Sequence, residues 1–354
     1  MDVPVQRCVH MCVHAATTLE SRRHGAIETH MQTLSKPLLS AATPSAHPPL
    51  LCHAVLACTQ LLSCLGLVYV RTAMDAASTS FDSVAFIFWR FAGATPLLLV
   101  AASATVGLRR PSLADARSFL ALGLFLVCNQ LFANLGVLLA GALIAACMQP
   151  FAPVLGAALA TAVGQERFSV RIAVGMAVAV SGAVVSAAGR VDGDSGRASG
   201  GVVVAGMLCL VVHNFGWAAY VTTIVGIKAT VARHGSLAVT GMAQLAGLLI
   251  MAGVVVVRRA CTHSAPGLEL PPAARLPLAY WIVVVSVLCY SLTAWASRSL
   301  PVSVVTSYCT LQPAAGAALS VLLLGEQLRW SDCGAVGIVV GLFIVVRRPP
   351  AKPV

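Results

Sequence analysis

Beyond residue 50 the chain alternates long apolar runs with short polar breaks. Ten apolar segments stand out, with approximate spans 51–70, 84–106, 119–138, 142–163, 171–188, 201–224, 237–257, 278–296, 302–324 and 332–346. A helix needs about 20 apolar residues to cross a ~30 Å hydrocarbon layer. Helices satisfy their own backbone polar groups, so they can do this without water. The pattern predicts an all-α polytopic membrane protein with ten transmembrane helices, the last of them short. Residues 1–49 are instead rich in Ser, Thr, His and Pro, and predict a disordered cytosolic tail. No apolar signal core follows the first arginine, and Asp2, Glu20 and Glu28 disfavour a transit peptide.

The apolar segments also repeat. The fourth reads QPFAPVLGAALATAVGQERF and the ninth QPAAGAALSVLLLGEQL. Pro153 precedes Glu166 by 13 residues, and Pro313 precedes Glu326 by 13. Glycines seven apart follow each, Gly175 with Gly182 and Gly334 with Gly341. An offset of about 160 residues holds throughout, which indicates internal duplication. The predicted organisation is a first five-helix repeat at 50–188, a linker at 189–200, a second repeat at 201–347 and a short cytosolic tail at 348–354. Five is odd, so the second repeat enters the membrane from the opposite side. Inverted repeats of this kind are typical of secondary transporters, which bind substrate near the midplane between the halves.

Composition sharpens the class. The chain is 58% hydrophobic and only 10% charged, against about 45–50% and about 25% in soluble domains. The net charge of +11 comes from short basic tufts between apolar runs rather than one patch, which speaks against nucleic-acid binding. If the N-terminus is cytosolic, fifteen of the 23 Lys and Arg fall on the cytosolic side. Seven fall outside: Arg71, Arg190, Arg197, Arg258, Arg259, Arg275 and Arg329. That bias predicts two cytosolic termini. The twelve cysteines include no CxxC pair and define no disulfide framework.

Three pieces carry a resemblance to a known family: FWRFAGA in the second segment, the proline and GQE closing the fourth, and QPAAGAALSVLLLGE in the ninth. The chain resembles the drug/metabolite transporter superfamily, with two EamA-type repeats, and is similar to the plant Walls-Are-Thin-type transporters. The resemblance covers roughly residues 50–347. It implies transport of a small organic metabolite, in a group whose cargo ranges over amino acids, hormones, sugars and drugs. The first half departs from the pattern, with Gly-Gln-Glu where Gly-Glu is expected.

Arg90 is the one charge in the run FIFWRFAGATPLLLVAA. Two readings stand. It either snorkels to the interface beside Trp89, or faces the space between repeats as a carboxylate binder or gate. Its counterpart in the second half is Gln244, uncharged. Asn129, Gln130 and Asn134 lie in the third segment, with Gln130 and Asn134 four apart and so on one face. Gln130 corresponds to Tyr290, next to Ser291. Gln149 precedes Pro150 and Gln312 precedes Pro313, and such breaks can line a site. Tyr308 lies four before Gln312, and His213 with Asn214 lies in the sixth segment. These twelve are the candidate pathway residues, each with an interhelical hydrogen bond as its alternative role. Pro150, Pro153, Glu166, Pro313 and Glu326 are read as helix-break or structural residues, with the two Glu pairing to Arg167 or Arg329 or capping the following helix.

All twelve acids lie in the tail, in loops or at helix ends. This disfavours a carboxylate-based proton antiport. A lone interior arginine suits a neutral, zwitterionic or monoanionic solute better than a phosphate ester. GDSG at Gly193–Gly196 has no protease context, and CVHMCVH at Cys8–His14 offers soft metal ligands in a polar tail. No cofactor, metal or enzymatic activity is expected. The expected protein is a permease working by alternating access in a lipid bilayer. A non-transporting receptor or scaffold, and a phosphate-ester or nucleotide-sugar exchanger of the same superfamily, are the alternatives. A homodimer stays open.

Overall fold

The structure, a computed structural model, describes residues 49–77, 83–140, 145, 148–167, 169–188, 200–261, 268–324 and 334–346. All of them belong to one compact unit, His47–Val354. The Cys8–His14 and Gly193–Gly196 motifs, residues 189–199 of the predicted linker, Glu326 and Arg329 lie outside the described residues.

The described residues are predominantly helical, with short turns between the helices. The first half contains α1 (Pro49–Ala77), α2 (Ser83–Thr105), α3 (Leu113–Ala140), α4 (Phe151–Ala162) and α5 (Val170–Ala188). The second contains α6 (Gly200–Gly226), a short α7 (Lys228–His234), α8 (Ser236–Cys261), α9 (Pro272–Ala296), α10 (Val302–Ser307), α11 (Leu311–Leu324) and α12 (Gly334–Val346). A 3₁₀ turn, Tyr308–Thr310, joins α10 to α11. Each predicted apolar segment overlaps one of these helices or pairs of helices, the fourth only over Phe151–Ala162, with 142–144, 146, 147, 332 and 333 outside the described residues and α7 being the addition. Several helices outrun the predicted spans, because a helix continues into polar sequence once it has formed. Five of the described helices are long and apolar enough to cross a membrane: Ser83–Thr105, Leu113–Ala140, Val204–Gly226, Ser236–Cys261 and Pro272–Ala296.

Helix contacts repeat under a two-fold exchange of α1 with α6, α2 with α8, α3 with α9, α4 with α10–α11, and α5 with α12. Helix α3 packs along α6, and its counterpart α9 packs along α1. Helix α3 also packs on α8, as α9 does on α2. Helix α4 touches α6, and α11 touches α1. Counterparts pack along each other most extensively in three pairs, α2 with α8, α4 with α10 and α5 with α12. The duplicated sequence has folded into a pseudo-symmetric pair of interlocked repeats.

The repeated glycines are the reason α5 and α12 lie so close. A Cβ at Gly341 would stand 2.5 Å from the Gly175 carbonyl oxygen and the Ala179 nitrogen, and one at Gly337 would stand 3.1 Å from the Gly182 Cα. Lipid supplies no hydrophobic drive between helices, so small residues that admit close backbone contact hold them together. Apolar residues fill the core and also much of the surface. Leu97, Val100, Leu208, Leu249, Val256 and Phe343 are exposed, while Arg90, Gln130, Asn214 and Gln244 are buried. Apolar side chains outside and polar ones inside are what a hydrocarbon solvent selects.

Candidate substrate site and pathway

Arg90 and Trp89 are sequence neighbours that point to different environments. Trp89 is exposed and its indole N–H donates to the Leu268 carbonyl at 2.7 Å. Arg90 is only 4% exposed, so the snorkelling reading fails: its guanidinium turns into the protein. Its Nε donates to Ser286 Oγ at 2.7 Å and one terminal nitrogen donates to the Tyr290 hydroxyl at 3.0 Å. The guanidinium carbon stands 4.3 Å from the Trp281 ring centroid and 5.4 Å from that of Tyr290. Aromatic faces attract a cation, most strongly where water is excluded. Among the described residues no carboxylate pairs with Arg90.

The helix that receives Arg90 is irregular where it does so. Trp281–Cys289 is a π-helical stretch within α9. In an α-helix, Trp281 and Ser286 would stand about 140° apart around the axis. The wider π turn, closed by i→i+5 bonds, brings residues five apart toward one face. Trp281, Ser286 and Tyr290 can therefore all contact the same guanidinium.

Tyr290 joins this arginine to the second repeat's other aromatics and to the first repeat. Its hydroxyl accepts from Gln130 Nε2 at 3.5 Å. Its ring lies 5.8 Å from Trp217 and 6.1 Å from Tyr220, which stack on each other at 5.6 Å. Thr240 neighbours the Tyr220 hydroxyl, and Gln244 lies one helical turn beyond Thr240. Both polar atoms of Gln244, Gln130 Oε1 and Ser291 Oγ are buried with no hydrogen-bond partner among the described residues. Leaving such atoms unmet costs about 1–3 kcal/mol each. Of these residues, Gln130 shares the Tyr290 hydroxyl with Arg90.

Two further polar contacts are related by the pseudo-symmetry. Gln149 Nε2 lies 3.4 Å from His213 Nε2, and Gln312 Nε2 donates to Gln60 Oε1 at 2.7 Å. Each glutamine immediately precedes the proline that interrupts its helix. At the first break the Ala152 N–H bonds to the Gln149 carbonyl, which leaves the Met148 carbonyl for Asn214 Nδ2 at 3.0 Å. One turn before Gln312, the Tyr308 hydroxyl meets His53 Nδ1 at 2.9 Å. His53 and Gln60 are seven apart on α1, two turns along one face. Asn129 joins the first cluster through His213, while Asn134 is half-buried and forms no hydrogen bond among the described residues.

A third cluster ties the repeats together at one end. Asp115 is buried in the first turn of α3, where its carboxylate accepts from the Ser112 N–H and hydroxyl. Ser112 Oγ in turn accepts the Asp115 N–H at 3.1 Å, which completes a reciprocal helix cap. From α7 the same carboxylate meets Thr230 at 3.0 Å, and Arg233 and His234 at 3.4 Å each. Nearby, Gln165 donates to the Thr222 carbonyl, and Glu166 Oε1 accepts the Ser303 N–H at 3.0 Å. Glu166 thus caps α10 in the other repeat, whose N-terminus presents free N–H groups beside it.

The structure thus brings Arg90, Gln130 and Tyr290 into one cluster and Asn129, Gln149, His213 and Asn214 into another. Tyr308 and Gln312 sit on a third contact line, and Pro153 is buried in α4. Sequence reading missed Ser286, Trp281, Trp217, Tyr220, His53, Gln60, Asp115 and His234. Of these, only the aspartate carried a signal, the Ser-x-x-Asp cap spacing at 112–115.

The EamA-like transporter family matches the chain twice, over residues 55–188 and 204–347. The chain belongs to the EamA-like transporter family. It is therefore a membrane transporter of the drug/metabolite type, and the two matched stretches are the two repeats seen in the helix contacts. Among solved structures, one titled "Crystal structure of protein" is similar in fold, with a TM-score of 0.62 at 18% identity. That likeness covers 83% of this chain and 97% of the other. No curated protein matches the sequence.

Proposed function

We propose that this EamA-like transporter is a permease for a small neutral, zwitterionic or monoanionic organic solute. It works by alternating access of the two repeats around the Arg90–Tyr290–Gln130 cluster. The observation that carries the reading is the meeting of Gln130 and Tyr290. They are counterparts in the two repeats, and counterparts touch only near a two-fold axis. Transporters with inverted repeats bind cargo there.

Arg90 supports a single negative or electronegative group on the cargo, since no second cation accompanies it in the described contacts. The aromatic faces of Trp217, Tyr220 and Tyr290 suit the apolar body of an organic molecule. The unmet atoms of Gln244, Gln130 and Ser291 suit its remaining polar groups. Both termini are cytosolic in this reading, by the bias of Lys and Arg between loops.

The test has two stages. A thermal-shift screen of neutral and monoanionic metabolites finds a binder, because a ligand at 100 times its Kd stabilises the fold by about 2.7 kcal/mol. Saturable uptake of that binder into proteoliposomes then follows, and it is lost in Arg90→Gln. Saturable uptake of a nucleotide sugar would refute the charge assignment. A carboxy-terminal tag reached from outside sealed cells would refute the orientation.

A further inference from the structure

Helix α6 places His213 at its midpoint, thirteen residues from Gly200 and thirteen from Gly226. That is about 20 Å from either end at 1.5 Å per residue, within the hydrocarbon layer. Ionisable side chains at such depth are rare and mark ion pathways and proton relays. With no carboxylate inside the apolar segments beyond Asp332 at the start of the last one, His213 is well placed to take up that role.

The hydrogen bonds specify its tautomer. His213 Nδ1 lies 2.7 Å from the Asn129 carbonyl oxygen, which can only accept, so Nδ1 carries the hydrogen. Asn129 Nδ2, 3.0 Å from that Nδ1, instead donates to the His213 carbonyl at 3.2 Å. His213 Nε2 faces the Gln149 amide nitrogen at 3.4 Å. That nitrogen only donates, so Nε2 offers a lone pair and the ring is neutral.

Protonation of Nε2 sets two donors against each other. The Gln149 side chain must then turn to present its oxygen. Gln149 is also the residue whose carbonyl takes the Ala152 N–H across the Pro150 break. A change at Nε2 is thereby passed to the hinge of the fourth span.

The surroundings leave the histidine as the responsive group. Asn129 from α3 and Gln149 just before α4 do not titrate. On α6 itself, Cys209 lies one turn before and Trp217 one turn after. Trp217 leads to Cys309 and to Tyr290, and Tyr290 leads to Arg90, the charged group linked to this cluster.

We propose that His213 is a proton-binding site that couples transport to proton movement, with Nε2 protonation turning Gln149 and rearranging the Pro150 break. The proton arrives from water on one side of the membrane and leaves when the ring returns to its Nδ1–H form. Only the Nε2–H bond forms and breaks. This deepens the permease reading and rests on it.

Hydrogen–deuterium exchange of the full chain in lipid nanodiscs tests the site without a solute. With intrinsic rates corrected, protection over residues 148–153 should differ by about threefold or more between about pH 5.5 and about pH 8. His213→Gln should abolish that difference with His53 and His234 intact. Gln149→Leu, which keeps the ring but removes the group that turns, should abolish it too and serves if His213→Gln does not fold. A flat wild-type profile over this segment, or a response that survives both substitutions, overturns the proposal. Neither result touches solute uptake, so the permease reading is decided separately.

Discussion

Gln130 and Tyr290 stand 160 positions apart in the chain and 3.5 Å apart in space. They correspond to each other in the two repeats, so their contact locates the pseudo-two-fold axis at the arginine cluster. The Tyr290 hydroxyl is the shared acceptor there, serving Gln130 and Arg90 together.

Removing that hydroxyl should leave both donors short of a partner. Tyr290→Phe is expected to destabilise the protein by about 1–3 kcal/mol, read as a lower midpoint of thermal unfolding in detergent. Solute affinity should fall as well. An unchanged midpoint and unchanged affinity together would show that the hydroxyl is idle.

Arg90→Lys keeps the charge but not the fork that reaches Ser286 and Tyr290 at once. Flux per folded molecule should drop by about tenfold or more, since a compact ammonium cannot replace a planar bidentate donor. Arg90→Gln should be no better. Full flux in both variants would remove Arg90 from the site.

Close packing of α5 on α12 makes Gly341 intolerant of a side chain. Gly341→Val has to push apart backbone 2.5 Å away. The expected loss is about 1–3 kcal/mol or more, as for other overpacked sites. Gly253, whose Cβ would meet nothing within 4 Å, is the control, and Gly253→Ala should leave unfolding nearly unchanged.

Asp115 holds its own helix cap and the α7 contacts at once. Asp115→Ala should cost about 1–2 kcal/mol through the lost cap alone. It should also raise proteolysis between α2 and α3, because the ties to Thr230, Arg233 and His234 go with it. Arg233→Ala removes only a half-exposed ion pair and should cost under about 1 kcal/mol. Equal effects of the two would deny the cap its role.

Asn214→Leu and Gln60→Leu separate two kinds of polar contact. Gln60 meets one side chain, and such bonds in membranes are worth about 0.6 kcal/mol on average. Asn214 holds the Met148 carbonyl, which has lost its helical N–H to the break. Its loss should cost about 1–3 kcal/mol, and unfolding midpoints of the two variants will show whether Asn214 is the more costly.

Much of the fold was legible because lipid imposes a simple code. Apolar length gave the spans, and the paired Gln-Pro and glycine motifs gave the repeats. Parity gave the inversion. Short helix α7 was not legible, since seven mixed polar and apolar residues carry no length signal. Nor was the π stretch in α9, because its apolar sequence would fit an α-helix equally well.

Within the site, sequence by itself determined which residue types had to leave lipid. Arg90, Gln130, His213 and the two Gln-Pro pairs are too polar to face hydrocarbon, and that needs no coordinates. What only the tertiary structure decided is where each of them turned. Ser286 and Trp281 became partners of Arg90 through a helix irregularity nearly two hundred residues away. Glu166 became the cap of a distant helix, and His213 became a ring held between Asn129 and Gln149. Burial cost acts on each residue alone and can be read from its identity, whereas partnership depends on which helices the close glycine contacts bring face to face.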